Sequence, residues 1–207
     1  MRLTPLAYGM LTAATVTLLP IDALAANDSP WMVRGRVIAV LPAPDATVSP
    51  IGGDIAITDD VVPELDISYF FAKHWAAELI LATAYHDVTH TPTGTNLGSV
   101  WLLPPTLTAQ YHIDPDSDSF RPYVGAGVNY TFFYGVDNPA GQRVSYDDNF
   151  GWVLQAGADF PVGNGWALNV DVKKVFLSTD ATVVPLGVTA DVDIDPWIVG
   201  FGVGYRY

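Results

Sequence analysis

The 207-residue chain has no cysteine, which excludes a disulfide scaffold, a thiolate metal centre and a cysteine nucleophile. It is short of charge, with Asp, Glu, Lys and Arg making up 15% where an average soluble domain carries about 25%. It is shorter still of positive charge: 9 Lys and Arg stand against 22 Asp and Glu, a formal net charge of −13. Nucleic acid is excluded as a partner on that ground, because phosphate contacts need clustered Lys and Arg. Beyond the N-terminal segment there is also no apolar run of the length that a membrane-spanning helix requires. Yet half of all residues are hydrophobic. Apolar residues that never form a run need another arrangement.

Residues 1–25 read as a cleaved secretory signal. Arg2 supplies the positive start, an apolar run reaches Leu18 and Leu19, Pro20 breaks it, and Ala23-Leu24-Ala25 places small residues where a signal peptidase reads. Cleavage before Ala26 removes one base, Arg2, and one acid, Asp22, so the charge stays at −13. Sec-type export of a cysteine-free chain suits a Gram-negative envelope.

Residues 26–207 alternate with period two. In the last segment Trp197, Val199, Phe201, Val203, Tyr205 and Tyr207 share one face, while Ile198, Gly200, Gly202, Gly204 and Arg206 share the other. Only an extended strand separates these sets. The pattern recurs in residues 31–41, where Val33 and Val37 oppose Arg34 and Arg36, and in residues 62–71, where Leu65, Ile67 and Tyr69 oppose Glu64, Asp66 and Ser68. Residues 75–86 set Leu79 and Leu81 against Glu78 and His86. Residues 101–112 set Leu107 and Ala109 against Thr108 and Gln110, and residues 120–133 set Val124, Val128 and Phe132 against Gly125, Gly127 and Asn129. Residues 149–160 set Trp152 and Leu154 against Gln155 and Asp159, and residues 166–175 set Leu168 and Val170 against Asp171 and Lys173. That predicts eight strands, long enough to cross a bilayer at a tilt and even in number, as a closed barrel requires. The links after strands one, three, five and seven (about 42–60, 87–99, 134–148 and 178–194) are long. The links 72–74, 113–119 and 161–165 are short, with Gly163-Asn164-Gly165 and Asp114-Pro115-Asp116 as turn formers.

The apolar face carries almost no charge and ends in aromatics such as Trp31, Tyr69, Tyr111, Trp152 and Trp197, the composition of bilayer girdles. It is therefore assigned to lipid, and the fold is an all-β, eight-stranded antiparallel transmembrane barrel. The other face points into the lumen, where Arg34, Arg36, Lys173 and Arg206 can pair with Glu64, Asp66, Glu78, Asp159 and Asp171 as a structural salt-bridge network.

Several segments carry a family likeness: Leu102-Leu103-Pro104-Pro105-Thr106-Leu107 leading to Gln110-Tyr111-His112, Phe120-Arg121-Pro122-Tyr123-Val124-Gly125-Ala126-Gly127, and Asp195-Pro196-Trp197 with Gly202-Val203-Gly204-Tyr205-Arg206-Tyr207. In these the chain resembles the OmpW-type outer-membrane proteins, which include AlkL-like hydrocarbon uptake proteins. Such barrels more often end in Phe. Tyr207 keeps an aromatic end, and with Tyr205 it is expected to serve recognition by the barrel-assembly machinery. The resemblance implies a narrow apolar channel through which small hydrophobic solutes enter from outside and leave sideways into the membrane. Pro104 and Pro105 remove two ladder donors from one strand. They either open a lateral gap or sit just above the hydrocarbon zone, where water satisfies their neighbours. Ile51, Ile55, Ile57, Phe133, Leu186 and Val188 are the candidate apolar mouth.

Other constellations fail on spacing. Asp114, Asp116 and Asp118 start like a calcium loop, but Ser119 and Gly125 stand where Gly and Glu belong. His86 and His90 point the same way but lie about 13 Å apart on an extended chain, too far to share zinc. No nucleophile motif is present, so no enzyme activity and no cofactor are expected. The acids of the long links (Asp45, Asp54, Asp59, Asp60, Asp137, Asp147, Asp148, Asp180, Asp191 and Asp193) either meet lipopolysaccharide through divalent cations or are simply solvated. Two functions remain: a passive channel for hydrophobic solutes, or a structural or adhesive barrel that conducts nothing.

Overall fold

The computed structural model describes residues 29–91, 93–138, 143–184 and 187–207; the expected signal segment lies outside them. The chain runs through β1 (Trp31–Leu41), β2 (Asp45–Ser49), β3 (Ile55–Ile57), β4 (Asp60–Ala72), β5 (Trp75–Ala82), β6 (Ala84–His90), β7 (Thr95–Leu103), β8 (Thr106–His112), β9 (Arg121–Asp137), β10 (Arg143–Tyr146), β11 (Asn149–Gly163), β12 (Trp166–Phe176), β13 (Ser178–Val184), β14 (Val188–Asp193) and β15 (Trp197–Arg206). Eight of these close a ring of antiparallel pairs, β1–β4–β5–β8–β9–β11–β12–β15 and back to β1. Closure gives every strand two neighbours and leaves no edge. The short turns and both termini share one end, where the Ser29 amide donates to the Tyr207 carbonyl at 3.1 Å. At the turn between β11 and β12, Asn164 (φ 51°) and Gly165 (φ 79°) both adopt positive φ, as a two-residue hairpin turn of type I′ demands.

The four long links are not loops throughout, since each contains strand. They fold as strands that continue the barrel walls beyond the closed ring. Above it the wall divides into two four-stranded sheets, β10–β13–β14–β2 and β3–β6–β7–β9. The reason is legible in the chain: Thr179, Ala181 and Val183 turn inward while Asp180, Thr182 and Val184 turn out, so the period of two runs on past the predicted strand ends. Acids of these links serve the junction between ring and sheets. Asp60 Oδ2 accepts from the Tyr85 amide at 2.8 Å, Asp148 Oδ1 from the Phe133 amide at 2.9 Å, and Asp195 Oδ1 from the Leu177 amide at 2.9 Å. Each supplies an acceptor where a strand breaks and its ladder has none to offer.

The two faces separate as the alternation requires. On β1, Val37 is 61% exposed and its neighbour Arg36 is 3% exposed. The apolar face is the outer surface and the charged face is the interior. Aromatics bound the outer belt at both ends, with Trp31 against Tyr69 and Trp75 against Tyr111 near the termini, and Tyr85 against Trp101 near the far end. Between the two upper sheets lies an apolar core that includes Val48, Ile55, Val88, Val100, Val192 and Ile194.

Candidate functional site

The ring is filled by a charged plug. The Arg34 guanidinium grips Asp159 with two bonds, Nε to Oδ1 at 3.1 Å and Nη2 to Oδ2 at 2.7 Å, and reaches Glu78 at 3.1 Å. Arg36 Nη1 lies 2.9 Å from Glu64 and 2.7 Å from Asp66, and its Nη2 lies 3.4 Å from Glu78. Lys173 bridges Glu64 at 2.8 Å and Asp171 at 2.9 Å. All eight of these charged residues are at most 4% exposed. β1 carries both arginines, and its ladder neighbours β4 and β15 differ sharply in bulk. Glycines on β15 leave the room: a Cβ on Gly202 would stand 2.1 Å from the Gly35 carbonyl and 2.7 Å from Arg36 Cα.

Arg206 does not join this plug. Its guanidinium carbon stands 4.1 Å from the Phe70 ring centroid, and its Nε donates to the Ser29 carbonyl at 3.4 Å. At the end of β15 it faces a bowl of about 660 Å³ that opens at the termini end. Three bases therefore face five acids, and neutral donors make up the difference. Gln110 Nε2 donates to Glu78 at 2.6 Å, Gln155 Nε2 to Glu78 at 2.8 Å and to Asp171 at 2.9 Å, and the Tyr123 hydroxyl to Asp171 at 2.7 Å. These three belong to the site although their lack of charge hid them. Strand parity was the signal available, since Tyr123 shares its face with Gly125, Gly127 and Asn129.

Above the plug the interior changes character. Three apolar compartments stack there, two between the upper sheets and the lowest within the top of the ring. The uppermost, about 240 Å³, is lined by Val48, Ile51, Ile55, Val88 and Val188 among others. The middle one, about 30 Å³, shares Ile55, Val88 and Tyr146 with it and adds Ile57 and Phe133. The lowest, about 60 Å³, shares His86, Leu102 and Ile194 with the middle one, and Glu64 and Lys173 of the plug are in its wall. The expected mouth residues thus line this column, with Ile51 exposed at the top; Leu186 lies outside the described residues. Burial pushes the Tyr146 phenol up to about 12, so it stays protonated at physiological pH.

Pro104 and Pro105 sit where the wall between β5–β6 and β7–β8 comes apart. The β5–β8 ladder ends at Ile80 opposite Thr106, and the β6–β7 ladder begins at Ala84 opposite Leu102. Between them residues 81–83 face residues 103–105 without ladder pairs, linked by a Thr83 Oγ1 bond to the Leu102 carbonyl at 3.0 Å. The other flank is intact, since the Tyr130 amide donates to the Pro105 carbonyl at 3.1 Å. Pro104 lines the lowest compartment. On the outer surface the prolines lie between exposed Leu103 and Leu107, with Trp101 above them. At the termini end, Tyr205 packs on Trp166 at 4.9 Å and on Tyr207 at 5.1 Å. Asp116 of the β8–β9 turn pairs with Lys73 of the β4–β5 turn.

Known proteins are similar to this chain in sequence and fold. The OmpW family model matches residues 28–207. An uncharacterized outer-membrane protein of Sinorhizobium fredii, y4mB, is 43% identical over 90% of this chain and 83% of its own length. Outer membrane protein W of Escherichia coli is 32% identical over 94% of this chain and 96% of its own. PahQ of Pseudomonas aeruginosa, named for a dibenzothiophene metabolism operon, is 29% identical over 88% of this chain and 90% of its own. The crystal structure of the outer membrane protein OprG from Pseudomonas aeruginosa superposes with a TM-score of 0.79 at 28% identity, covering 86% of this chain and 95% of that one. The long walls, the inverted faces and the charged plug under an apolar column are therefore those of an outer-membrane barrel, and the chain belongs to the OmpW family.

Proposed function

We propose that the barrel is a passive channel for small hydrophobic molecules, which enter from outside, descend the apolar column and leave sideways into the membrane at Pro104 and Pro105. One observation carries this reading: the column ends on a charged plug beside a stretch of wall with an interrupted ladder. An apolar solute cannot displace paired, buried charges, because each broken pair leaves a charge without water or partner. The lateral route leads past Ile80, Ala82, Leu102 and Pro104 of the lowest compartment to lipid. The relative named for dibenzothiophene metabolism agrees with an aromatic, apolar cargo.

Uptake of a radiolabelled alkane or aromatic into cells with and without the protein tests the reading. The Pro104→Val/Pro105→Val variant restores two ladder donors and is expected to slow uptake severalfold while the barrel still folds. Unchanged uptake would sink the lateral route, and equal uptake with and without the wild-type protein would favour the non-conducting, structural barrel instead.

Other partners follow from position. Tyr205 and Tyr207 at the end of β15 are the proposed signal to the barrel-assembly machinery. The outward acids of the upper sheet, with Asp180 opposite Asp191 and Asp45 opposite Asp193, are proposed to meet lipopolysaccharide through bridging divalent cations, since like charges directly opposite repel.

A further inference from the structure

We infer that the column selects apolar molecules that carry one hydrogen-bond donor, such as a phenol or a fused-ring alcohol, over the bare hydrocarbon, by presenting His86 Nε2 as an acceptor. The inference rests on the channel reading and narrows it. His86 stands on β6, is 3% exposed, and lines both the middle and the lowest compartment. Its Nδ1 lies 2.6 Å from the Thr58 carbonyl oxygen. A carbonyl only accepts, so Nδ1 carries the proton, and in the neutral ring Nε2 is left with its lone pair. That nitrogen makes no hydrogen bond among the described residues, and the ring it belongs to lines the cavity.

The contrast within the column is specific. His90, one turn of the path higher, has both nitrogens engaged, Nδ1 with Thr93 Oγ1 at 2.9 Å and Nε2 with the Gly52 carbonyl at 3.0 Å. Thr179 donates to the Asp147 carbonyl at 2.8 Å, and Thr131 donates to Asn129 Oδ1 at 2.7 Å. Tyr146, by contrast, lines the same middle compartment, and its hydroxyl has no partner among the described residues. A hydroxyl-bearing solute loses its bonds to water on entering an apolar column, a cost that otherwise excludes it. Here it regains one at His86. A hydrocarbon loses nothing and regains nothing, and leaves both polar atoms bare while it passes.

The test compares 1-naphthol with 1-methylnaphthalene, which match in shape and differ in the donor. Uptake of each is measured in cells expressing wild-type, His86→Leu, His86→Gln or Tyr146→Phe protein, with the uptake of cells lacking the barrel subtracted. Heat-shifted migration on gels shows that each variant forms a barrel. The ratio of 1-naphthol to 1-methylnaphthalene uptake is expected to fall about five-fold in His86→Leu, the worth of one hydrogen bond. It is expected to recover in part in His86→Gln, which keeps an acceptor, and to fall by a smaller factor in Tyr146→Phe. A ratio that does not change in His86→Leu overturns the inference and leaves the channel reading standing. Uptake of both solutes at the level of cells lacking the barrel overturns the channel reading and this inference with it.

Discussion

Arg36 shows how much of this interior depends on single side chains. Its guanidinium lies within 2.9 Å of Glu64, 2.7 Å of Asp66, 3.4 Å of Glu78 and 3.9 Å of Asp171, and it also donates to Asn169 at 2.6 Å. Breaking a buried pair by removing one partner typically costs about 3–5 kcal/mol, because the charge that remains has neither water nor a counter-ion. Arg36→Met is therefore expected to lower the free energy of unfolding in lipid vesicles, extrapolated from urea titration, by an amount in that range. Loss of less than about 1 kcal/mol would mean that the acids of the plug are held by their neutral donors alone. Neighbouring residues are chosen for the space they leave. A Cβ on Gly157 would stand 2.4 Å from the Tyr123 hydroxyl, the group that donates to Asp171. The alternation showed that positions 34, 36, 64, 66, 78, 159, 171 and 173 share the interior, since parity places them there. It also placed Arg206 inside, and parity could not show that the last residues of β15 lie below the plug.

At the scale of strands, the period of two decided the outward and inward sets but not where each strand stops. Residues 45–49 and 178–193 read as links because their outward positions carry acids rather than apolar residues. Once a wall leaves lipid, its outer face turns polar and its inner face, above the plug, turns apolar, so the alternation continues with the two faces exchanged. The sheet β10–β13–β14–β2 is that case. Asp180 and Asp191 are directly opposed and exposed there, as are Asp45 and Asp193. Lipopolysaccharide binding by the purified barrel is expected to weaken when divalent cations are chelated, and to become insensitive to chelator in an Asp180→Asn/Asp191→Asn variant. Chelator-insensitive binding by the wild-type barrel would dispose of the cation bridge and leave these acids as a solvated face.

The whole molecule is two devices end to end: a closed ring with a polar filling, and a divided, apolar upper half. Eight strands leave an interior that side chains can just fill, and here they do, with Arg34, Glu78, Gln110 and Gln155 among the buried set. The wild-type protein is accordingly expected to pass little ion current in planar bilayers. The Arg34→Ala/Glu78→Ala variant removes one base and one acid together, keeps the net charge, and is expected to raise that current by opening a water path. Current as high in the wild type as in the variant would show that the plug does not close the ring, and would remove the reason for a sideways exit.

What the sequence by itself determined is the class of fold and the allocation of faces. Apolar residues at every second position, with scarce charge on the partner positions, satisfy lipid outside and a polar interior inside, and no other regular structure sorts them so. The prolines at 104 and 105 were also legible as a break in one strand, because a missing amide is a local fact. The tertiary structure alone decided the rest. Which base meets which acid depends on strands far apart in the chain, as with Arg34 and Asp159, 125 residues apart. That the break at the prolines lies beside the floor of the column, and that His86 keeps one nitrogen bare while His90 keeps none, follows from where the fold brings the carbonyls of Thr58 and Gly52. Ring closure and the division of the wall into two sheets set those distances, and neither is written in the spacing of any one strand.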